Sequence, residues 1–599
     1  MNSNFLNYWK KNLDLISWKK KPKKILEKKK HYFKWFKDGK VNVYQNCVKN
    51  NLYRFQKKEA LIIYDKNKNK KTYTFEKLDI LIENFSYQLF KYKLSSKDIV
   101  AIHASASIES AVAMLSCAKL GITFSVIFED LPISSVIKRI NLLNAKILIT
   151  RSNNNFIKDI LKNNKNIKNR KLKIINFCDK APLNKKIHHI KSSSLLKKKR
   201  TFDKIFFKNS NHPLFILFTS GSTGDPKGII HSGGGYLLYA KYTCKKQFGI
   251  NSNSVVFTGS DAGWINGHTY ALFGPLSFGA TSILVEKPID ILDKNFLAEI
   301  IKSNNVSILY LPVTLIRLMK CILGTTKFFN NNSIKSLGSM GEPLAKDVAL
   351  WFSKTFKNNK LSIVNTYFQT ETGGIISSPK FNFKKVGISH GTVGKPVNKF
   401  IKLQIDKKLS SGEIKITTPW PGAMIGVING KKIFDKYWDD NGNFKLFDLG
   451  KFNKHKLLEV FGRNDDVINI RGHRVGSGEL ESQILSITNI KEACVVPIND
   501  DLEGNRLIVF YSKSKNVNNL KIKNNIENSL VRNFGSYLKP KFIVELSNLP
   551  KTKSGKILRR VLKLLTNNPN IVNIGDLSTI IDKSIITEAR KKIIKKINE

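Results

Sequence analysis

At 599 residues, 41% of them hydrophobic and 10% aromatic, the chain is too long for one compact core and too apolar for wholesale disorder, so at least two folded domains are expected. The formal net charge of +57 does not imply specific nucleic-acid binding, because lysines far outnumber arginines and are spread everywhere rather than gathered on one face among aromatics. The longest apolar stretch, 111–128, is broken by Lys119, which excludes a membrane span there.

The start has no apolar signal core, and its lysine-rich part, 10–30, contains Asp14 and Glu27 and is not arginine-rich, unlike secretory or transit peptides. The six cysteines are scattered with no CxxC pair, which argues against a disulfide framework or a cysteine-rich zinc site and fits a reducing cytoplasm.

Between about 53 and 285, strand-like runs alternate with amphipathic segments. LIIYD (61–65) precedes a helical stretch at 75–91, 99–103 precedes 108–120, and KILIT (146–150) follows another helix-like segment. The stretches 153–171 and 180–200 read as surface insertions or loops. LFILF (214–218) runs directly into FTSGSTGDPKG (218–228), and the alternation continues at 307–312 and 363–367. This pattern predicts an α/β architecture with covered sheets. From 400 to 461 the segments shorten around turns such as TTPWPG and DDNGN, a small β-rich region. After GRNDD (462–466), VINIRGHRVGSGELESQI reads as a strand, a glycine turn and a helix. KEACVVPI, RLIVFYS, a helix at 520–534 and a strand at 542–546 complete an α+β unit of about a hundred residues, a usual small-domain size.

FTSGSTGDPKG has the chemistry of a phosphate-holding loop: hydroxyls on Thr219, Ser220, Ser222 and Thr223, backbone amides at Gly221 and Gly224, and the cation of Lys227. It is not a Walker A loop, because Gly228 follows the lysine, and it lacks the G-x-G-x-x-G spacing of a dinucleotide fingerprint.

The stretch resembles the phosphate loop of the acyl-adenylate-forming superfamily, and further matches follow in the family's order. SMGEP (339–343) resembles the adenine-side loop, TYFQTETGG (366–374) the ATP and magnesium motif, and FDLG (447–450) the segment with a ribose-binding aspartate. GRNDDVINIRGHRVGSGELE resembles the hinge of a mobile C-terminal domain, and LPKTKSGKILRR (549–560) the loop with the adenylation lysine. ISWKKKPKKIL, HYFKWFKDGKVNVYQNCV, HSGGGYLLYA, DAGWINGHTYALFGPL and NIGDLSTIID are similar to segments of acetyl-CoA synthetases and their propionate-using relatives.

The resemblance implies an acetyl-CoA synthetase-type N-terminal extension (1–50), a large AMP-binding domain of α/β subdomains with a small β-rich subdomain (51–464), and a small mobile α+β C-terminal domain (465–599). It implies that acetate and ATP give acetyl-AMP and pyrophosphate, and that CoA then takes the acetyl group, with ATP, Mg²⁺ and CoA required. Lys556 would be catalytic, a point cation between the attacking carboxylate and the α-phosphate. Glu371 would hold Mg²⁺, which prefers hard oxygen ligands. Asp448 would accept hydrogen bonds from the ribose hydroxyls, with Arg463 and Arg474 nearby. Gly341, Glu342, Pro343, Asn365, Thr366, Tyr367, Phe368, Gln369 and Thr370 would surround the nucleotide, and Lys227 would attend the β and γ phosphates. Trp264, Ile265, Asn266, Met340 and Phe368 would line the acyl pocket. Arg471, Gly472 and Arg532 would face CoA, and Asp465 would be the hinge. His268 matches the family's GH(S/T)Y; as a residue it reads equally as a packed core histidine. Acylation of Lys556 by an acetyltransferase, reversed by a deacetylase, would remove the charge that step one needs.

Two departures from the family pattern bear on specificity. Phe368 stands where acetate-specific members carry an indole, which deepens the pocket, while Met340 replaces a smaller valine and refills it. The loop after 146–150, TRSNNNFIKD, lacks the arginine pair that holds the nucleotide end of CoA. The alternatives are therefore a propionyl-CoA or other short-chain acyl-CoA synthetase, an adenylating enzyme with a non-CoA acceptor, and a non-catalytic polyanion-binding protein.

Overall fold

The computed structural model describes residues 3–599 apart from 31, 153, 164–165, 170, 178–186, 197–201, 221–225, 325–332, 358–362, 383–388, 406–411, 464–466, 471–472, 501–503, 515–517, 553–554, 556, 573, 575–576 and 578–579. Two large sheets carry most of the chain. An eight-stranded sheet runs in the order His188–Ile190, Lys173–Phe177, Ile147–Thr150, Ile99–His103, Thr123–Ile127, Pro213–Ser220, Pro226–Ser232 and Gly426–Val427. A seven-stranded sheet runs Ile363–Asn365, Ser336–Met340, Ile308–Pro312, Val255–Thr258, Thr281–Val285, Glu59–Tyr64 and Lys70–Thr74. All neighbours in the second sheet are parallel except the last pair. Their continuous apolar runs, such as TSILV buried at every position, are what a sheet covered on both faces requires.

The helices Phe75–Phe90 and Ile108–Leu120 form where expected, each entered through a hydroxyl cap on the third amide, Thr74 to Lys77 and Ser107 to Ser110. The helix Gly233–Thr243 and the helical run 265–276 are buried nearly all round, so they have no solvent face and little amphipathic pattern. The N-terminal segment packs onto the first of these. Trp9 is fully buried with its ring 5.3 Å from Tyr242 and 6.3 Å from Tyr239.

Residues 154–162 are not a loop. Asn154–Lys162 is a helix that buries Ile157 and Ile160, and His188–Ile190 is an edge strand of the eight-stranded sheet. Asparagine and lysine on the outer face hid the apolar spacing of Ile157, Ile160 and Leu161. The β-rich region is a four-stranded antiparallel sheet of Leu403–Ile405, Gly412–Ile416, Phe444–Phe452 and Leu458–Arg463. The segment after it pairs Val467–Ile470 with His473–Gly476 antiparallel before the helix Ser477–Leu485, so a second strand stands where the sequence suggested only a turn.

The last sheet comprises Ile490–Asp500, Gly504–Lys513 and Phe542–Glu545. Alternate residues of its strands serve two cores: Ala493, Val495 and Val509 pack with helices Ser477–Leu485 and Asn519–Phe534, while Cys494, Val496 and Ile508 pack with Arg559–Asn567 and Ser584–Asn598. That is the period-two division of a strand buried on both faces. Among the described residues no helix is long and apolar enough to cross a membrane.

Candidate active site

All strands of the seven-stranded sheet but Lys70–Thr74 are parallel, so their carboxyl ends lie together, and the loops that leave two of them carry motif residues. Met340 ends one strand and Asn365 ends its neighbour. Asn365 is buried and locked at both ends of its amide: Ser339 Oγ donates to Oδ1 at 3.0 Å, and Nδ2 donates to the Thr392 carbonyl at 2.8 Å. Thr366 Oγ1 donates to the Ser339 carbonyl at 2.8 Å. These bonds spread across adjacent strand ends and fix where the next residues leave the sheet.

Tyr367 and Gln369 then reach a different sheet. Tyr367 Oη donates to Asp448 Oδ2 at 2.7 Å, and Gln369 Nε2 donates both to that carboxylate and to the Leu446 carbonyl, the latter at 2.7 Å. Asp448 is 6% exposed and lies on the long strand of the four-stranded sheet, where Phe447 at φ +56° and a register irregularity after Leu449 reshape the strand. Its partner across the ladder is Arg463. The aspartate and arginine that the sequence placed at one ribose are thus directly cross-strand.

Glu371 is 7% exposed. Tyr437 Oη donates to its Oε1 at 2.7 Å, and its own carbonyl accepts from Met424 N at 2.9 Å. The loop around it is held at every step: Trp420 Nε1 donates to the Thr372 carbonyl at 2.9 Å, and Tyr239 Oη to the Ile375 carbonyl at 2.7 Å. Gly373 adopts φ +68°, and a Cβ there would meet the Gly422 carbonyl oxygen at 2.2 Å. Only glycine suits that left-handed turn and that close approach.

The described ends of the phosphate-loop motif lie on two antiparallel strands, Pro213–Ser220 and Pro226–Ser232, where Thr219 pairs with Lys227. His231 lies four residues beyond Lys227 on the same strand face, and its Nε2 donates to the Thr370 carbonyl at 2.7 Å. One histidine therefore ties this strand pair to the Gln369–Glu371 turn. Burial pushes His231 down to about 4, so it is neutral near pH 7 and carries the proton on Nε2. His268 is fully buried against Phe124 and Phe215, faces the Trp264 carbonyl through Nδ1 at 3.1 Å, and is pushed down to about 3 by burial. It is a packed core histidine.

Glu342 meets Thr314, whose Oγ1 donates to Oε1 at 3.1 Å, and pairs with Arg317. Glu481 and Glu492, beyond Gly476, act on that same guanidinium. Gly555, at φ +83°, approaches Thr314 so closely that a Cβ would meet its Cγ2 at 2.5 Å. Gly555 is therefore seated against Thr314, the residue that donates to Glu342. In the acyl region, Phe368 is partly buried and its ring stands 5.5 Å from Tyr270, Met340 is buried, and Trp264 packs edge-on to Phe128 at 6.0 Å. Ile265 and Asn266 are buried in the helical turn between them. Arg532 is exposed in the last turn of Asn519–Phe534.

Gly221, Ser222, Thr223, Gly224, Asp465, Arg471, Gly472 and Lys556 lie outside the described residues, as do the side chains of Ser220, Arg463 and Arg474. Gly341, Pro343 and Thr370 fall on the loops just described. Sequence reasoning missed Tyr437, Trp420, His231, Thr314 and Arg317. Only His231 had a readable signal, its strand-period spacing from Lys227; the others come from remote segments with no motif of their own.

The family model described as AMP-binding enzyme matches residues 48–426, the AMP-binding enzyme C-terminal domain matches 479–556, and the acetyl-coenzyme A synthetase N-terminus matches 2–47. Curated relatives span nearly the whole chain. An acetyl-coenzyme A synthetase of Chlorobaculum tepidum is 30% identical over 98% of this chain and 91% of its own length. One from Leptospira biflexa is 32% identical over 97% and 92%. Among solved structures, the acetoacetyl-CoA synthetase from Streptomyces lividans superposes with a TM-score of 0.84 at 16% identity, covering 99% of this chain and 93% of that one. An anthranilate CoA ligase in complex with anthranoyl-AMP gives 0.76 at 18% identity, covering 88% and 98%. Those two establish the shared fold, and the sequence matches establish the kinship: the chain belongs to the AMP-binding enzyme family, on its acetyl-coenzyme A synthetase branch.

Proposed function

We propose that the chain is an AMP-forming acetate–CoA ligase that joins acetate to AMP from ATP and passes the acetyl group to CoA. The observation that carries this reading is the pair of buried carboxylates, Asp448 on its strand and Glu371 on its turn, each oriented by a tyrosine hydroxyl, with the Gln369–Glu371 turn tied to the strand of Lys227 through His231 and to Asp448 through Gln369. A carboxylate accepting two hydrogen bonds at Oδ2 is fixed in one rotamer, and Asp448 so fixed holds the ribose diol. Glu371 supplies the hard oxygen that suits Mg²⁺, and when bound the ion offsets phosphate charge. Lys227 draws the β and γ phosphates to its strand, and Lys556 offsets the repulsion between the incoming carboxylate and the α-phosphate. The unit from 465 onward then turns about Asp465 to admit the thiol past Gly472.

Acyl-CoA formation from ATP, Mg²⁺ and acetate, propionate and butyrate, run beside pyrophosphate release without CoA, tests this. Absence of pyrophosphate release with every acid would refute adenylation. Acetylated Lys556 should abolish step one; full pyrophosphate release by the acetylated protein would refute that switch. A cytoplasmic setting accords with the free thiols Cys47, Cys117, Cys244, Cys321 and Cys494.

A second reading has a specific observation behind it. Arg151, in the loop where relatives are expected to grip the nucleotide end of CoA, is bound to Glu286 at 2.6 Å and to Glu109 at 3.5 Å. An arginine so committed is a poor phosphate clamp, and pantetheine turning over as well as CoA would favour an acceptor without that nucleotide.

A further inference from the structure

We propose that Asn266 makes the acyl pocket selective for short carboxylic acids bearing a hydroxyl, over acids of the same shape bearing a methyl; this rests on the adenylation reading above. Asn266 is 3% exposed, and both ends of its amide, Nδ2 and Oδ1, are buried with no hydrogen-bond partner among the described residues. A buried amide left so is costly, because neither its donor nor its acceptor recovers the hydrogen bonds it made in water. Its placement explains why none of the described residues answers it. Asn266 sits in the first turn of the helical run that begins at Ile265, one turn ahead of Tyr270, so the two share a helix face. Tyr270 meets Phe368 at 5.5 Å and Tyr310 at 5.7 Å, and Tyr310 lies on the strand next to the one that ends in Met340. Asn266 therefore lies beside Ile265 on the face that leads toward Phe368 and Met340; the hydrocarbon side chains there neither donate nor accept, the Met340 thioether is at most a weak acceptor, and neither it nor the Trp264 indole bonds the amide.

A substrate in the pocket can supply the missing partner. An amide presents one donor group and one acceptor, and a hydroxyl is the smallest group that matches both. An alkyl group matches neither and would leave the amide desolvated. A site that hydrogen-bonds a substrate hydroxyl discriminates strongly against an analogue that lacks it, because the site's own polar groups are then left unpaired.

The test compares isosteric pairs, glycolate against propionate and 3-hydroxypropionate against butyrate, with acetate as the reference. Acyl-adenylates are trapped with hydroxylamine in the presence of ATP and Mg²⁺ and without CoA. The wild-type protein should favour the hydroxy acid of each pair in kcat/KM by at least about tenfold, and Asn266→Val should bring that ratio to one or below. A wild-type preference for propionate and butyrate overturns the proposal, and so does an unchanged ratio in Asn266→Val. Should that variant fail to fold, Asn266→Thr, which keeps a single hydroxyl, must lower the ratio. Adenylation of no acid at all, acetate included, would instead refute the reading on which the proposal stands.

Discussion

Replacing Gly555 by alanine probes whether the Lys556 loop works where it is seated. The new Cβ would meet Thr314 Cγ2 at 2.5 Å, where ordinary contact begins at 3.4 Å, and the backbone at φ +83° disfavours any side chain. Left-handed backbone costs an alanine about 1–2 kcal/mol, and the overlap, as in other overpacked sites, about 1–3 kcal/mol more. The seated state should therefore lose about 2–5 kcal/mol, which slows pyrophosphate release from ATP and acetate by at least about thirtyfold. Thr314→Ser separates the two causes. It removes the obstructing methyl and keeps the hydroxyl that donates to Glu342 at 3.1 Å. In the double variant the overlap vanishes and the backbone cost remains, so about five- to 160-fold of activity should return. An unaffected Gly555→Ala protein, or a loss of the same size in the Thr314→Ser background, would refute the seating of this loop against Thr314 during adenylation.

Tyr367→Phe removes one of the two donors to Asp448 Oδ2. Hydrogen bonds to charged groups contribute about 1.5–3 kcal/mol, so KM for ATP should rise about tenfold or more in steady-state assays while the fold persists by circular dichroism. Trp9→Ala empties a fully buried site against Trp35, Tyr239 and Tyr242 and should lower unfolding free energy by about 3–5 kcal/mol in urea titrations. Stability should also fall as the medium becomes acidic. Burial holds His103 and His231 down to about 4 and His268 to about 3, against an ordinary 6.5, so below pH 6.5 the unfolded chain takes up protons that the folded one refuses. Asp261, pushed up to about 7 by burial with Asp130 and Glu129 adding to it, keeps its proton in the folded state and offsets one of the three. Summed over these four groups the loss is about 2–3 kcal/mol per pH unit near pH 5, visible in urea midpoints, and His268→Gln should remove about 1.4 kcal/mol per unit of that slope.

The alternation of strands and helices was legible along the chain, because apolar runs such as TSILV and LFILF and the hydroxyl caps at Thr74 and Ser107 are local signals. So was the chemistry available, since QTETGG, FDLG and KTKSGK each keep their special residues within a few positions. The stretch 154–162 reads as a loop only because polar residues on the outer helix face mask the buried Ile157 and Ile160. Which segments hold the motifs in place is a matter of packing alone. Tyr437 reaches Glu371 across 66 residues, Tyr367 reaches Asp448 across 81, and His231 reaches Thr370 across 139. The unanswered amide of Asn266 is of the same kind: burial and the lack of a partner are properties of the packed surroundings, and no pattern of neighbours along the chain encodes them. Hydrogen bonds are short and directional, so a contact between segments this far apart exists only once the sheets have brought their ends together.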